Sequence, residues 1–363
     1  MNFIEFSIIL TFLYLIIMCV IAIGLIFIRM ERRVFHTPTV SVIVCARNEA
    51  NVIGRLLQSL TKLHYPEDKF EIILIDDDSF DGTHNIMQQY ADGKPNWKVL
   101  RHDKTTATLK GKKGALTLGV QASRSEIIMV TDADCVVPPD WITSTVSFFR
   151  KDVGMVLGNS PVEKKAGFMN IYERFDTLCE ASVAAASTYY NKPTHANGRN
   201  LAYRKQVFEE VNGYENCVNT DTGDDFFLMQ EIRTRTRWRF AYNTDPAGFV
   251  TTTATPLGKR YIHQQLRRNS KAFHLTIPFF ILGAIAFLFH VALAVMLFSP
   301  SLWKWLAAIL LFKFIAELIA TFHGARLFCQ TDLLKYFPIL WVLYPVFYLS
   351  SQLIGSLKIY RWK

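Results

Sequence analysis

Residues 6–28 contain no charged side chain, and this run limits what the chain can fold into more than any other feature. About 20 apolar residues cross the hydrocarbon of a bilayer, so the run is long enough to span one. Buried helices of globular cores rarely extend so far without a charge. Arg29, Arg32 and Arg33 follow at once. No basic region precedes the run, which argues against a cleaved secretory signal. The positive-inside rule then sets the N-terminus outside and Arg29 in the cytoplasm.

The other end of the chain is similar. Residues 275–298 carry only His290 among the ionisable types, residues 302–322 are apolar apart from Lys304, Lys313 and Glu317, and residues 336–357 have no charge. The expected layout is one N-terminal and about three C-terminal transmembrane helices. Lys313 and Glu317 stand four apart, share a helix face and can pair there. Intramembrane charges usually face a bundle interior; the alternative is that 302–322 lies at the interface. Four spans that start outside also end outside, yet the tail carries Lys358, Arg361 and Lys363. Either one segment does not fully cross or the tail breaks the charge rule. The expected domains are an anchor at 1–36, a cytosolic domain at 37–272 and a membrane region at 273–363, which makes a multi-pass protein of the cell membrane.

The chain has 40 Lys and Arg against 31 Asp and Glu, a net charge of +9. Much of the excess flanks the apolar segments, which speaks against a nucleic-acid partner. The basic stretch 259–271 reads in the same way, as cytosolic charge beside a span. Six cysteines, at 19, 45, 135, 179, 217 and 329, show no C-x-x-C spacing. Free thiols in a reducing compartment are the simpler reading, in keeping with a cytosolic central domain.

That central domain reads as α/β. The run 40–44 is β-branched and predicts a buried strand, followed by a helix over 50–63 with Val52, Leu56, Leu57 and Leu60 on one face. Strands are expected at 71–75, 97–100 and 126–130, with helices at 83–90 and 113–123. Strands alternating with helices imply a mostly parallel sheet with right-handed connections and ligands at the carboxyl ends of the strands. The acids fall there: Asp76, Asp77 and Asp78 after the second strand, Asp132 and Asp134 after the fourth. Carboxylates crowded at strand ends repel one another unless a cation neutralises them. Hard oxygen ligands favour Mg2+ or Mn2+, and Mg2+ typically takes one or two carboxylates plus substrate phosphates.

Four motifs in order carry a resemblance. They are the strand at 40–44 with Arg47, Asn48 and Glu49 behind it; Asp76, Asp77, Ser79, Asp81, Gly82 and Thr83; Gly111, Lys112 and Gly114; and Asp132-Ala-Asp134. Over most of 38–270 the chain resembles the membrane-bound branch of the family 2 glycosyltransferases. The resemblance implies a GT-A nucleotide-diphospho-sugar fold, a nucleotide-sugar donor (a UDP-sugar first, GDP donors also occurring), a divalent metal and inverting transfer. Arg47 and Glu49 would lie in the loop over the nucleotide. Asp76 and Asp77 can accept from a base N–H or ribose hydroxyls, and Arg47 and Lys112 are cations for a diphosphate. Asp134 would ligate the metal directly, with Asp132 nearer the ribose or the metal waters. The family often has glycine where Asp78 stands. Gly111, Gly114 and Gly119 do not form a Walker-type loop.

Further on, Asn200 resembles the acceptor-side segment. Asp224 and Asp225 resemble the acid pair before a helix; Asp225 is the base candidate and Asp224 a possible helix cap. Many membrane-bound members carry Q-x-x-R-W. Gln264 with Arg267, or Gln265 with Arg268, supplies the Gln and Arg here, but neither register supplies the Trp. The expected function is transfer of a sugar to a lipid or saccharide hydroxyl, with single transfer favoured over a processive polysaccharide synthase. The readings from other classes are a non-catalytic sugar-nucleotide sensor and a transporter component.

Overall fold

The structure is a computed structural model that describes residues 2–30, 33–103, 109, 111–217, 223–255, 265 and 277–356. Gln264, Arg267 and Arg268 lie outside the described residues, as do most of the basic stretch 259–271 and the tail. The chain divides into two compact units. One comprises Met1–Ile26, Lys164–Ser182 and Ala254–Lys363; the other comprises Phe27–Glu163 and Val183–Thr253.

The second unit is built on a sheet. Its strands are β1 (Val40–Ala46), β2 (Phe70–Asp76), β3 (Trp97–Arg101), β4 (Ile127–Asp132), β5 (Cys135–Val136), β6 (Val153–Gly158), β7 (Leu201–Arg204), β8 (Arg239–Asn243) and β9 (Thr251–Thr252). Seven of them form the main sheet among the described residues, in the order β3-β2-β1-β4-β7-β6-β8, and β5 pairs with β9. β1 runs parallel to both β2 and β4, whereas β7 is antiparallel to both β4 and β6. Parallel strands covered on both faces read as near-continuous apolar runs, and Val40, Val42, Ile43 and Val44 are all fully buried. The register then fixes the acids. Asp76 lies beside Ala46 and Asp132 beside Cys45, so both acidic clusters flank the carboxyl end of β1.

Helices α2 (Ile53–Leu60), α3 (Thr83–Ala91), α4 (Gly111–Ala122), α5 (Trp141–Val146), α7 (Lys205–Glu210) and α8 (Asp224–Arg235) accompany the sheet. The core joins Ile53, Leu56, Leu57 and Leu60 of α2 to Val42, Val44, Ile72 and Leu74 of the strands. The helix expected over 50–63 is shorter. Glu49 O accepts from both Val52 N and Ile53 N, which makes residues 50–52 a turn.

The first unit holds the apolar helices: α1 (Phe3–Ile28), α9 (Ile277–Leu297), α10 (Trp303–Leu327) and α11 (Phe337–Ser356); a further helix, α6 (Phe168–Tyr189), starts in this unit and ends in the other. Among the described residues three helices are long and apolar enough to cross a membrane, at Phe3–Ile28, Ile277–Leu297 and Pro300–Leu327. The segment expected at 336–357 is a helix, with Pro345 inside it, but is not one of those three. Lys313 is 2% exposed; its Nζ donates to Glu317 Oε2 at 2.7 Å and lies 4.5 Å above the Trp341 ring. Tyr14 donates its hydroxyl to the other oxygen of Glu317. The pair expected on one face of α10 therefore forms inside its own unit, which is how a charged pair is tolerated in an apolar helix.

A second ionic contact secures the turn between α10 and α11. Arg174, almost fully buried, donates NH1 and NH2 to the two oxygens of Asp332 at 2.9 and 2.8 Å. Lys164, largely exposed, adds a contact of 2.9 Å. These hydrogen bonds, Arg174 first, hold the Asp332 carboxyl well below the usual carboxylate range. A depressed carboxyl contributes stability above its unfolded pKa of about 3.9 and loses it as pH falls towards its folded value. Asp332→Asn, which strands a buried guanidinium, is expected to cost about 3 kcal/mol at pH 7. Thermal melts in detergent should show that difference shrinking below about pH 4. A pH-independent difference would argue that the loss is not ionic.

Candidate functional site

The loops after β1 and β2 interlock. Asp81 is the hub: Oδ2 accepts from Ala50 N at 3.0 Å, and Oδ1 accepts from Thr83 N and the Thr83 hydroxyl at 3.1 and 2.5 Å. Asn48 N donates to Ser79 Oγ at 3.0 Å, Phe80 N donates back to Asn48 Oδ1 at 3.1 Å, and Glu49 N donates to Thr83 Oγ1 at 2.9 Å. Both loops need a left-handed residue, at Asn48 (φ 56°) and Asp78 (φ 62°). Asn and Asp are the side chains that tolerate it best, which explains an Asp where the family often has glycine. Arg47 is exposed and Glu49 half-buried on this frame.

Asp76 is fully buried. Its Oδ1 accepts from Ser79 N at 3.0 Å, while Oδ2 makes no hydrogen bond among the described residues, although His84 Nδ1 and Arg101 Nε stand 3.4 and 3.7 Å away. A buried acceptor without a hydrogen bond at the mouth of a strand is a ready partner for a ligand N–H or O–H. Asp77 Oδ1 meets His102 Nδ1 at 2.8 Å, and His102 Nε2 meets Leu109 O at 3.2 Å. His102 thus ties the β2 acid to the segment before α4. A Cβ on Gly114 would lie 1.9 Å from Leu109 O and 2.5 Å from His102 Nε2, so only glycine permits this approach. Of the glycines beside Lys112, Gly114 serves close packing, whereas Gly111 has open space around it and a left-handed φ of 65°.

Lys112 Nζ donates to Asp132 Oδ1 at 2.6 Å and lies 3.4 Å from Asp224 Oδ2. Burial alone would lower its proton affinity, but Asp132 and Asp224 outweigh that and hold the ammonium well above its ordinary value. Burial pushes Asp134 up, helped by Asp132 and opposed by Arg199. Asp224 is raised by burial and by Asp225 and Asp132, against Lys112. Asp225 Oδ2 accepts from Gly198 N at 2.9 Å and Oδ1 from Phe226 N at 2.7 Å. The cap expected at Asp224 is corrected: Gly223 (φ 90°) is the N-cap of α8, and Asp224 is its first helical residue. That frees the Asp224 carboxylate to face Lys112.

Among the described residues no three or more of His, Cys, Asp and Glu are gathered as a metal cage. Asp132 and Asp134 offer two hard oxygen ligands, crowded enough for a cation to relieve their repulsion. That donor set fits Mg2+ or Mn2+ completed by phosphate oxygens and water. Sequence reading missed Gly198, His102 and Arg199 as individual contributors. Gly198 acts through its backbone, and His102 lies outside the motifs.

The acceptor-side residues fare differently. Asn200 is buried, and its amide is engaged in the core: Nδ2 donates to Asn159 O and Gly248 O, both at 2.8 Å, and Oδ1 accepts from Trp141 Nε1 at 3.0 Å. It holds strand ends together and is not free to line a sugar pocket. Gln265 belongs to the unit of apolar helices, where its Nε2 donates to Asp176 Oδ2 at 2.7 Å and Tyr344 donates to Oδ1 at 3.0 Å.

Residues 41–212 match the family described as Glycosyl transferase family 2. The chain is 30% identical over 200 residues to a beta-monoglucosyldiacylglycerol synthase of Trichormus variabilis, covering 53% of this chain and 41% of that one. It is 30% identical over 149 residues to a poly-beta-1,6-N-acetyl-D-glucosamine synthase of Staphylococcus epidermidis, covering 40% and 33%. Thus it spans less than half the length of either relative. A mannosyltransferase from Pyrobaculum calidifontis, solved in complex with GDP-Man and Mn2+, shares the fold with a TM-score of 0.58 at 20% identity, covering 91% of this chain and 99% of that one. The sheet order, the motifs at its strand ends and these matches agree on a GT-A-like core in which residues 41–212 match the glycosyl transferase family 2.

Proposed function

We propose that the protein is a membrane-bound glycosyltransferase that moves a sugar, with inversion, from a nucleoside-diphosphate sugar to a hydroxyl of a lipid or saccharide acceptor. The observation that carries this reading is the convergence of Asp132 and Asp224 on Lys112, with Asp225 oriented by the Gly198 N–H beside them. Asp76 Oδ2 and Asp77 would accept from the base or ribose. Asp132 and Asp134 would hold the Mg2+ or Mn2+, which when bound neutralises the diphosphate and stabilises charge on the leaving group. Asp225 takes the proton of the acceptor hydroxyl. The acceptor oxygen then bonds to the anomeric carbon as the bond from that carbon to the diphosphate oxygen breaks. One base and one displacement invert the centre.

UDP is the first donor base to test and GDP the second, since the similar mannosyltransferase from Pyrobaculum calidifontis was solved in complex with GDP-Man and Mn2+. The printed names of the relatives span a glycolipid product and a polysaccharide product. The missing Trp after Arg267 or Arg268 favours single transfer, and product length from a labelled donor distinguishes one added sugar from a ladder. The apolar helices, including α11, would anchor the enzyme as a multi-pass protein of the cell membrane with its catalytic domain in the cytoplasm. The free Cys45, Cys135 and Cys179 suit that compartment.

Asp225→Asn is expected to lower turnover by at least about 100-fold with nucleotide binding intact; near-normal turnover removes Asp225 from the role. Asp134→Ala is expected to abolish the Mn2+-dependent part of the thermal shift caused by UDP or GDP. If that part persists, the metal lies elsewhere.

A further inference from the structure

We infer that Lys112 is a counter-ion shared between the metal-facing acid Asp132 and the acid pair of α8, and that a divalent cation and this ammonium compete for Asp132. The inference rests on the donor-site reading above. Asp132 Oδ1 and Asp224 Oδ2 lie 2.6 and 3.4 Å from Lys112 Nζ, and Asp225 Oδ2 stands with Lys112 and Asp224 around Gly198. The Lys112 side chain keeps 35% of its surface exposed, and Gly198 bounds the ammonium on one side. A Cβ on Gly198 would lie 3.3 Å from Lys112 Nζ, 3.5 Å from Asp224 Oδ2 and 3.7 Å from Asp225 Oδ2, so residue 198 lies directly beside all three groups.

Lys112 at 2.6 Å from Asp132 occupies one of the oxygens a metal would draw on. A metal on the same carboxylate would repel the ammonium at close range. Engaging Asp132 with a metal therefore pushes the ammonium off that oxygen, and an incoming diphosphate offers it a new partner. Asp224 then loses its counter-ion beside Asp225. The donor half and the proton-accepting half of the site are in this way coupled through one side chain.

The test is Mn2+ binding to the full-length protein in detergent without nucleotide, followed by the spectrum of free Mn2+. Lys112→Met should bind Mn2+ at least about tenfold more tightly than wild type, and Lys112→Arg should stay close to wild type. In the presence of UDP or GDP the advantage of Lys112→Met should shrink or reverse, because the diphosphate has lost its cation. Equal or weaker binding by Lys112→Met without nucleotide overturns the inference. A measurement on wild type alone covers the case of a misfolded variant: Mn2+ should raise the labelling rate of Lys112 by an amine-directed reagent several-fold, and an unchanged or lower rate overturns it. Mn2+ binding to neither protein, with or without UDP or GDP, overturns the metal reading itself and Lys112 with it. Binding without the Met effect overturns the Lys112 inference alone.

Discussion

Mutual repulsion among carboxylates is the constraint around which this domain is arranged. The parallel register of β1, β2 and β4 fixes Asp76 and Asp132 on either side of one strand end, and the start of α8 adds Asp224 and Asp225. Like charges so close disfavour one another, and partners that offset them lower the cost of the cluster. The offsets are specific: Ser79 N on Asp76, His102 on Asp77, Lys112 on Asp132 and Asp224, and Gly198 N on Asp225. Each offset comes from a different segment, so the acids also determine which loops must meet.

The same rule acts in the unit of apolar helices. Glu317 is held by Lys313 and the Tyr14 hydroxyl, and Asp176 by Gln265 and Tyr344. Charged groups in apolar surroundings are retained there by complete partnering, not by exposure. Arg174 and Asp332 extend the pattern to the turn between α10 and α11.

The first four strands of the sheet were legible because β-branched runs such as Val40, Val42, Ile43 and Val44 have few other uses, whereas β6, β7 and β8, which complete the seven-stranded sheet, were not read from the sequence. The donor-site acids were legible because they follow those runs directly. What the sequence could not convey is orientation. Asn200 sits in a polar motif, yet its amide is turned into the core, and nothing in the residue type indicates that direction. Asp224 has the residue type of a helix cap, but Gly223 takes that position and leaves the carboxylate for Lys112. His102 and Gly198 act through spatial neighbours 25 and 27 residues away, a separation that no local pattern reports.

The most direct measurement is a thermal-shift panel of UDP- and GDP-sugars with Mg2+ or Mn2+ on the detergent-solubilised protein, run beside a variant in which Asp132 and Asp134 are both Asn. One nucleotide-sugar should stabilise the wild type in a metal-dependent way and leave the double variant unmoved. Stabilisation of both proteins alike, or of neither by any donor, would contradict a donor site at the ends of β2 and β4.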